Sequence, residues 1–308
     1  MPIEQITVFG GTGFLGRRIV DRLRRRELRV RVASSRAETA EVSRSATEKL
    51  SVMRADVRDA ASVDAAVAGA QGVVNAVGLY VERGEATFHA VHVEGALNVA
   101  AACRRHGVAR LVHLSGLGAD ANARSAYVRC RGEGEAAVRA AFDQATVFRP
   151  SVMFAADDAF LNTLLSLVQG LPVIPLFGRG DTRLQPVFSG DVAEAAVRVL
   201  TREAPPAALY GLGGPQIYSY RQLLERLMDF TRRRPLLFPL PFPLWDALAL
   251  AAGVLPRPPL TEGQVALMKN DNFVPPDLPG LDTLEIKPTS MDEILRRDFA
   301  PAKQDREG

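Results

Sequence analysis

Residues 6–16 read ITVFGGTGFLG, and this stretch decides the fold. Its first four residues have high β propensity, and the GGxGxxG run that follows opens a helix extending to about residue 26. A second apolar run at residues 28–34 arrives where a βαβ unit requires it. Side chains in such a turn would keep backbone amides away from a pyrophosphate, whereas glycines leave the N–H groups of the helix start accessible. The stretch therefore predicts a dinucleotide-binding turn, and the alternative is a ligand-free turn that packs strand on helix.

The alternation of strands and helices continues outward from this stretch. Further strands are predicted at residues 50–54, 72–78, 110–115 and 146–149, and helices at residues 61–68, 87–106, 127–142 and 191–200. The predicted fold class is α/β, a Rossmann doubly wound parallel sheet with a smaller C-terminal lobe, because loops rich in proline and glycine break the alternation after Arg149. We expect an NAD(P)-binding Rossmann domain over residues 1–200, with residues 151–190 contributing partly to the second lobe. A lobe for substrate or partner is expected over residues 201–308.

Composition limits the class of function. The 308 residues carry 38 basic and 35 acidic side chains, and a net charge of +3 without a basic tail gives no support to nucleic-acid binding. Cys103 and Cys130 have no CxxC spacing, and His89 and His92 lack a third ligand, so we expect neither disulfides nor a metal site. The longest apolar tract, residues 235–256, is interrupted by prolines and does not predict a membrane span. The N-terminal residues lack the pattern of a secretory signal, which favours a cytoplasmic location.

The end of the second strand indicates which nucleotide is bound. An NAD site places an acidic residue about 20 positions after the glycine motif, where it holds the ribose 2′-hydroxyl. Here the strand ends in Ser34, Ser35 and Arg36, and a guanidinium with two hydroxyls suits a 2′-phosphate instead. The positive charge of Arg17 is unfavourable in the first turn of a helix, and a bound phosphate would offset this cost. The alternative is that Arg17 is a solvated surface arginine. The predicted cofactor is NADP(H) rather than NAD.

Several short motifs occur in the order typical of one protein family. They are the glycine run at residues 10–16, Asp56-Val57, Asn75-Ala76-Val77-Gly78, Arg149-Pro150-Ser151 and Asp191-Val192-Ala193. As a set, these motifs resemble the atypical branch of the extended short-chain dehydrogenases/reductases over residues 5–200. Within that branch, the chain is similar to the NADPH-binding accessory subunit family of respiratory complex I (NADH:ubiquinone oxidoreductase) and its bacterial relatives. The segments that carry this similarity are residues 74–80, 160–164, 185–187 and 271–274.

The resemblance implies a site for the whole nucleotide. Asp56 and Val57 would lie against the adenine, residues 75–78 would cover the pyrophosphate and ribose, and Pro150 and Ser151 would border the nicotinamide. Each of these positions can also be a turn or a strand end. The expected cofactor-binding residues are Gly10, Thr12, Gly13, Phe14, Leu15, Gly16, Arg17, Ser34, Ser35, Arg36, Asp56, Val57, Asn75, Ala76, Val77, Gly78, Tyr127, Arg131, Pro150 and Ser151.

The catalytic positions depart from the family pattern. Active members use a tyrosine and a lysine four residues later on one helix face, so that the cation lowers the pKa of the phenol. This sequence has Tyr127 followed by Arg131, and Gly116 in the place of the family's serine, with Ser115 one position earlier. We therefore expect an NADP(H)-binding protein whose nucleotide is structural and whose turnover is weak or absent. The alternative is an NADPH-dependent oxidoreductase or epimerase-like enzyme, with Tyr127 as general acid/base, Arg131 on the ribose and Ser115 replacing the missing hydroxyl.

One segment of the C-terminal lobe suggests a partner. Three arginines at residues 232–234 precede an apolar run that contains Phe238, Phe242 and Trp245. This combination is typical of an interfacial anchor that binds acidic headgroups and acyl chains, and the alternative is a proline-rich loop covering the core of the lobe. Together with the resemblance, it implies that the stretch from Arg232 to Trp245 contacts complex I subunits or the membrane surface, on the cytoplasmic face of the inner membrane.

Overall fold

The computed structural model describes residues 3–35, 49–202, 207–252 and 262–299 of the chain. Its strands, in chain order, are β1 (Gln5–Phe9), β2 (Arg29–Ser34), β3 (Leu50–Arg54), β4 (Gly72–Asn75), β5 (Arg110–Leu114), β6 (Ala145–Pro150), β7 (Met153–Phe154), β8 (Val173–Phe177), β9 (Arg183–Leu184), β10 (Val187–Phe188), β11 (Leu209–Leu212), β12 (Tyr218–Ser219) and β13 (Leu236–Leu240). Its α-helices are α1 (Phe14–Arg25), α2 (Ala60–Val67), α3 (Gly95–Arg105), α4 (Ala126–Ala141), α5 (Ala159–Gly170), α6 (Ser189–Thr201), α7 (Tyr220–Thr231), α8 (Phe242–Ala252), α9 (Glu262–Met268) and α10 (Met291–Ile294).

Seven strands form one parallel sheet in the order β11-β6-β5-β4-β1-β2-β3. Its central strands are buried apolar runs, as in β4, which is buried throughout, because helices cover both faces of such a sheet. The strand order reverses between β1 and β4, and doubly wound sheets bind their ligands at the carboxyl ends of the strands at this point. This architecture confirms the predicted doubly wound α/β fold.

The helices divide between the two faces of the sheet. Helices α1 and α6 pack against each other, whereas α2, α3 and α4 pack side by side over a second core that includes Phe9, Ala33 and Val73. Helix α4 approaches this core closely at a glycine, since a β-carbon on Gly134 would lie 2.0 Å from the carbonyl oxygen of His92. The backbone contact holds α4, which carries Tyr127 and Arg131, in a fixed position beside the sheet.

The chain divides into two compact units that interleave along the sequence. The first comprises residues 1–151, 189–212 and 274–287, and the second comprises residues 152–188, 213–273 and 288–308. The second unit contains the short pairs β7–β10, β9–β12 and β8–β13, and its core lies around α5 and α7. The sequence pattern placed a division near residue 200, and the functions assigned to the two parts remain predictions.

Two strands of the seven-stranded sheet differ from the sequence predictions. Strand β4 ends at Asn75 instead of continuing to residue 78, because the Asn75 side-chain oxygen accepts a hydrogen bond from the Val77 N–H at 3.2 Å and turns the chain. Strand β11 pairs with β6 at the edge of the sheet, and it was not predicted because four residues carry too little periodicity to be distinguished from a loop.

Candidate functional site

The glycine run forms a tight turn between β1 and α1. Gly10 has a φ of +70°, a conformation that favours glycine, and its carbonyl accepts a hydrogen bond from the Gly13 N–H at 2.9 Å. A β-carbon on Gly16 would lie 2.0 Å from that same carbonyl oxygen, so only glycine fits there. Helix α1 begins after Gly13 without a side-chain cap and without an acidic residue in its first turn. A helix start of this kind can accept an anion on its backbone N–H groups.

The end of β2 lies directly beside this turn. The hydroxyl oxygens of Thr12 and Ser34 are 3.1 Å apart, and Ser34 is buried whereas Ser35 is exposed. Arg36, the candidate for a 2′-phosphate, lies outside the described residues. The second arginine of the first helical turn, Arg18, donates a hydrogen bond to the Phe14 carbonyl at 2.6 Å, while Arg17 is exposed.

The segment after β4 also reaches the glycine turn. A β-carbon on Gly10 would lie 3.0 Å from the carbonyl carbon and oxygen of Ala76, so the predicted segment of residues 75–78 and the turn are adjacent. Farther along the same edge, the Asp56 carboxylate is engaged by Arg58 in a paired contact of 2.6 and 3.1 Å, which lowers the pKa of Asp56. Val57 is buried, and its carbonyl accepts a hydrogen bond from Asn98 at 2.9 Å.

Arg131 projects from α4 to the carboxyl ends of β4 and β5. A β-carbon on Gly78 would lie 3.7 Å from its Nη2, and one on Gly116 would lie 3.8 Å from its Nη1, so the guanidinium lies beside two glycines. Arg131 is only 9% exposed, and among the described residues its Nε and the Ser115 hydroxyl are buried without hydrogen-bond partners. A buried cation with an unpaired N–H at this edge is suited to a polar ligand that supplies acceptors.

Tyr127 lies within a group of aromatic side chains. Its ring stacks on Tyr80 at 5.8 Å between centroids and meets Phe88 and His92 edge-on at 5.5 and 5.9 Å. The Arg131 guanidinium carbon lies 5.0 Å from the centre of the same ring. Burial raises the pKa of Tyr127 to about 12, and the charge of Arg131 offsets only part of this rise. The phenol is therefore held in its neutral form, unlike the acidified phenol of an active tyrosine–lysine pair.

Two buried histidines complete this cluster and were not recognised as site residues from the sequence. Burial and the charge of Arg131 lower the pKa of His113 to about 3 and that of His92 to about 4, so both are neutral at physiological pH. His113 Nδ1 lies 3.3 Å from the Asn75 amide nitrogen, and His92 Nε2 lies 3.0 Å from the Leu79 carbonyl oxygen. Nothing in the sequence marks His113, since it lies within a buried apolar strand.

The end of β6 brings the last predicted residues to the same edge. The Pro150 carbonyl accepts a hydrogen bond from the Leu117 N–H at 3.1 Å, and the buried Ser151 donates its N–H to Leu212 at 2.9 Å. The preceding Arg149 donates three hydrogen bonds, of 2.9, 3.1 and 2.6 Å, to the buried carboxylate of Glu135 on α4. This ion pair ties the helix that carries Tyr127 and Arg131 to strand β6.

The segment from Arg232 to Trp245 differs only in part from the aromatic anchor that the sequence indicated, because Phe238 is exposed whereas Trp245 packs inward. The Trp245 indole N–H donates to the Leu176 carbonyl at 2.9 Å, and its ring packs on Phe177 with centroids 4.4 Å apart, so this ring serves the core of its own unit. Five apolar side chains of β13 and α8 are each more than half exposed. We call this set the leucine surface, and its members are Leu236, Phe238, Leu244, Leu248 and Leu250.

The described residues form neither a metal-binding cluster nor a membrane-spanning helix. Among residues 3–35, 49–202, 207–252 and 262–299, no group of three or more histidine, cysteine, aspartate or glutamate side chains is placed to hold a metal ion. Within the same ranges, no helix combines the length and the apolar character needed to span a bilayer.

Comparison with known proteins places the chain in a family. Residues 6–213 match the model of the NAD dependent epimerase/dehydratase family. The mouse protein NADH dehydrogenase (ubiquinone) 1 alpha subcomplex subunit 9, mitochondrial, is 31% identical over 94% of this chain and 79% of the relative. The Arabidopsis thaliana protein of the same name is 34% identical over 79% of this chain, which spans 62% of that relative's length.

Solved structures support the same fold. Triphenylmethane reductase of Citrobacter sp., complexed with NADP(H), superposes with a TM-score of 0.74 at 20% identity over 95% of this chain and 99% of the other. The UDP-glucose 4-epimerase of Thermus thermophilus, in complex with NAD, superposes with a TM-score of 0.61 at 21% identity over 86% of this chain and 99% of the other. The chain therefore belongs to the NAD dependent epimerase/dehydratase family, and it is homologous to the complex I subunits named above.

Proposed function

We propose that this chain is an NADP(H)-binding protein of the complex I accessory-subunit type, in which the nucleotide stabilises the fold and turnover is weak or absent. The observation that carries the proposal is Arg131. Its guanidinium lies beside Gly78 and Gly116, and its buried Nε has no hydrogen-bond partner in the part of the chain that the structure describes. Arg131 is next to a tyrosine whose pKa is raised to about 12. In active enzymes of the family, a lysine at this position lowers the pKa of the tyrosine. Here the position is occupied by Arg131, whose guanidinium is suited to binding the nucleotide.

The residues of the carboxyl edge fit a dinucleotide. The start of α1 and the glycine turn would hold the pyrophosphate, because this helix start has no side-chain cap on its backbone N–H groups. Gly16 keeps the helix start close to the turn, since a β-carbon there would meet the Gly10 carbonyl oxygen. Thr12 and Ser34 would lie toward the adenosine ribose, and Arg131 with Ser115 would meet the nicotinamide ribose through their unpaired groups. Hydride transfer is the chemistry that such a nucleotide supplies when bound.

Arg131→Lys tests whether the site is structural. For a structural site we expect saturating NADPH to raise the melting temperature of both the parent and Arg131→Lys proteins by roughly 4 °C, since a ligand at 100 times its Kd adds about 2.7 kcal/mol. Neither protein should oxidise NADPH above background with a panel of aldehydes, ketones and nucleotide sugars. The measurement is thermal melting with and without NADPH, alongside absorbance at 340 nm.

The competing function is an NADPH-dependent oxidoreductase or epimerase-like enzyme, favoured by the presence of Tyr127 on the face that also carries Arg131. In that case, the shorter ammonium of lysine restores the family pair, and Arg131→Lys raises turnover at least about tenfold. Such a rise, abolished by Tyr127→Phe, would contradict a structural role for the nucleotide.

We also propose that the second unit makes the contact with complex I or with the membrane surface beside it. The names of the relatives place them in a subcomplex of NADH dehydrogenase. The leucine surface and the exposed arginines at residues 232–234 supply apolar and basic contacts in one stretch of chain. A peripheral position on the cytoplasmic face of the inner membrane is part of this proposal.

Liposome flotation tests the membrane contact. The parent chain should float with vesicles that contain phosphatidylglycerol, and reversal of charge at Arg232, Arg233 and Arg234 to glutamate should abolish flotation, because each basic residue contributes about 1 kcal/mol near an anionic surface. Leu248→Glu should have the same effect by removing apolar insertion. If both variants float as the parent protein does, this surface does not make the membrane contact, and a protein partner remains as the alternative.

A further inference from the structure

Arg54, the last residue of β3, lies beside the candidate ribose site. In the parallel register of β2 and β3, Arg54 pairs with Ser34, and paired residues of neighbouring strands project to the same face of a sheet. The face is identified by Val32, two residues earlier, because a β-carbon on Gly11 would lie 3.0 Å from its Cγ1. Ser34 itself meets Thr12 at 3.1 Å. Arg54 therefore projects from the face that carries the glycine turn.

The guanidinium of Arg54 forms no hydrogen bond or ion pair within the described part of the chain. Arg54 is exposed and forms no ion pair there, whereas nearby arginines are engaged. Arg58 binds the Asp56 carboxylate, and Arg31 donates to the carbonyls of Ala66 and Ala68 at 2.7 and 2.8 Å. Exposed arginines without a partner are common on protein surfaces, but Arg54 also lies in register with Ser34, beside the candidate ribose site.

We infer that Arg54 is a specificity-determining residue, which donates to the 2′-phosphate of NADP(H) from the strand next to Ser34. This inference rests on the proposed nucleotide-binding function and extends it to a residue that no motif marks. A guanidinium offers planar, charge-assisted donors to a phosphate, and the 2′-hydroxyl of NAD(H) offers no such charge. Arg54 thus contributes to binding of the phosphorylated nucleotide and little to binding of the other.

Isothermal titration calorimetry with NADP⁺ and NAD⁺ tests this role without requiring turnover. We expect Arg54→Ala to weaken NADP⁺ binding by about tenfold or more and to change NAD⁺ binding by less than about twofold. Arg54→Lys should retain part of the preference, because it keeps the charge and loses the planar fork. The slope of log Kd for NADP⁺ against log salt concentration should also become shallower in Arg54→Ala.

Arg29→Ala provides a matched control. Arg29 is an exposed arginine at the opposite end of β2, paired with Glu4 at 2.9 Å and roughly 16 Å from Ser34, which is beyond the Debye length at physiological salt. The Arg29→Ala protein should bind NADP⁺ and NAD⁺ with the same affinities as the parent protein.

The possible outcomes distinguish the role of Arg54 from the proposed NADP(H)-binding function. If the parent protein prefers NADP⁺ and Arg54→Ala keeps that preference in full, the role of Arg54 is wrong and the proposed function stands. If the folded parent protein binds neither nucleotide, or prefers NAD⁺, the proposed NADP(H) function fails and the role of Arg54 fails with it. Circular dichroism of each variant confirms that the comparison is between folded proteins.

Discussion

Gly16→Ala is expected to abolish nucleotide binding. The added β-carbon would lie 2.0 Å from the carbonyl oxygen of Gly10, 2.7 Å from its carbonyl carbon and 2.8 Å from the Gly11 Cα. All three are backbone atoms, so the turn has to move away from the helix start that would hold the pyrophosphate. We expect a loss of stability of about 3 kcal/mol, at the upper end of the cost of overpacking, and a fall in NADPH affinity of at least about 100-fold.

The matched control is Gly170→Ala in α5. A β-carbon there would have no heavy atom of the described residues within 4 Å, and the φ of Gly170 lies outside the left-handed range. This variant should melt within about 2 °C of the parent protein and bind NADPH normally, because alanine is a better helix former. Wild-type NADPH affinity in a folded Gly16→Ala protein would show that the turn does not hold the nucleotide.

Glu135→Ala is expected to destabilise the protein more than any exposed substitution on the same helix. Glu135 is 6% exposed and accepts three hydrogen bonds from Arg149, which keeps the pKa of that guanidinium above its ordinary value. Removal of one partner from a buried ion pair costs about 3–5 kcal/mol, and the partial exposure of Arg149 places this case near 3. Glu135 follows Arg131 by one helical turn, so loss of the pair should also loosen the guanidinium and weaken NADPH binding.

Glu133→Ala is the matched control for Glu135→Ala, because it removes the same charge from the same helix. Glu133 lies on the same helix, is more exposed and meets Arg129 only at 3.9 Å, so its removal should cost about 0.3–0.5 kcal/mol. Urea denaturation measures both values. Equal effects of the two substitutions would mean that the Glu135–Arg149 pair does not anchor the helix.

Local sequence patterns predicted the parts of the site that local structure determines. The run at residues 6–16 specified the strand, the turn and the helix start, and the spacing of Tyr127 and Arg131 placed both on one face of α4. The carboxyl edge then collects the ends of β1, β4 and β5 because parallel strands in this order all end there. These features follow from periodicity and from the rules of parallel sheets.

Other features depend on contacts between distant segments, which no local pattern encodes. Arg54 lies beside Ser34 only through the register of two strands that are 20 residues apart in sequence. The Trp245 ring packs inward, where its indole N–H donates a hydrogen bond to the Leu176 carbonyl, whereas leucines of the same segment remain exposed. The neutral histidines are defined by burial and by the charge of Arg131, both of which are tertiary properties.

The nucleotide that the purified protein retains distinguishes NADP(H) binding from NAD(H) binding. The purified protein is incubated with equal concentrations of NADPH and NADH, passed through a desalting column and denatured without strong acid, and the released nucleotides are separated by chromatography. We expect close to one NADP(H) per chain and little NAD(H). Predominance of NAD(H), or the absence of both nucleotides from the folded protein, would contradict the proposed NADP(H) function.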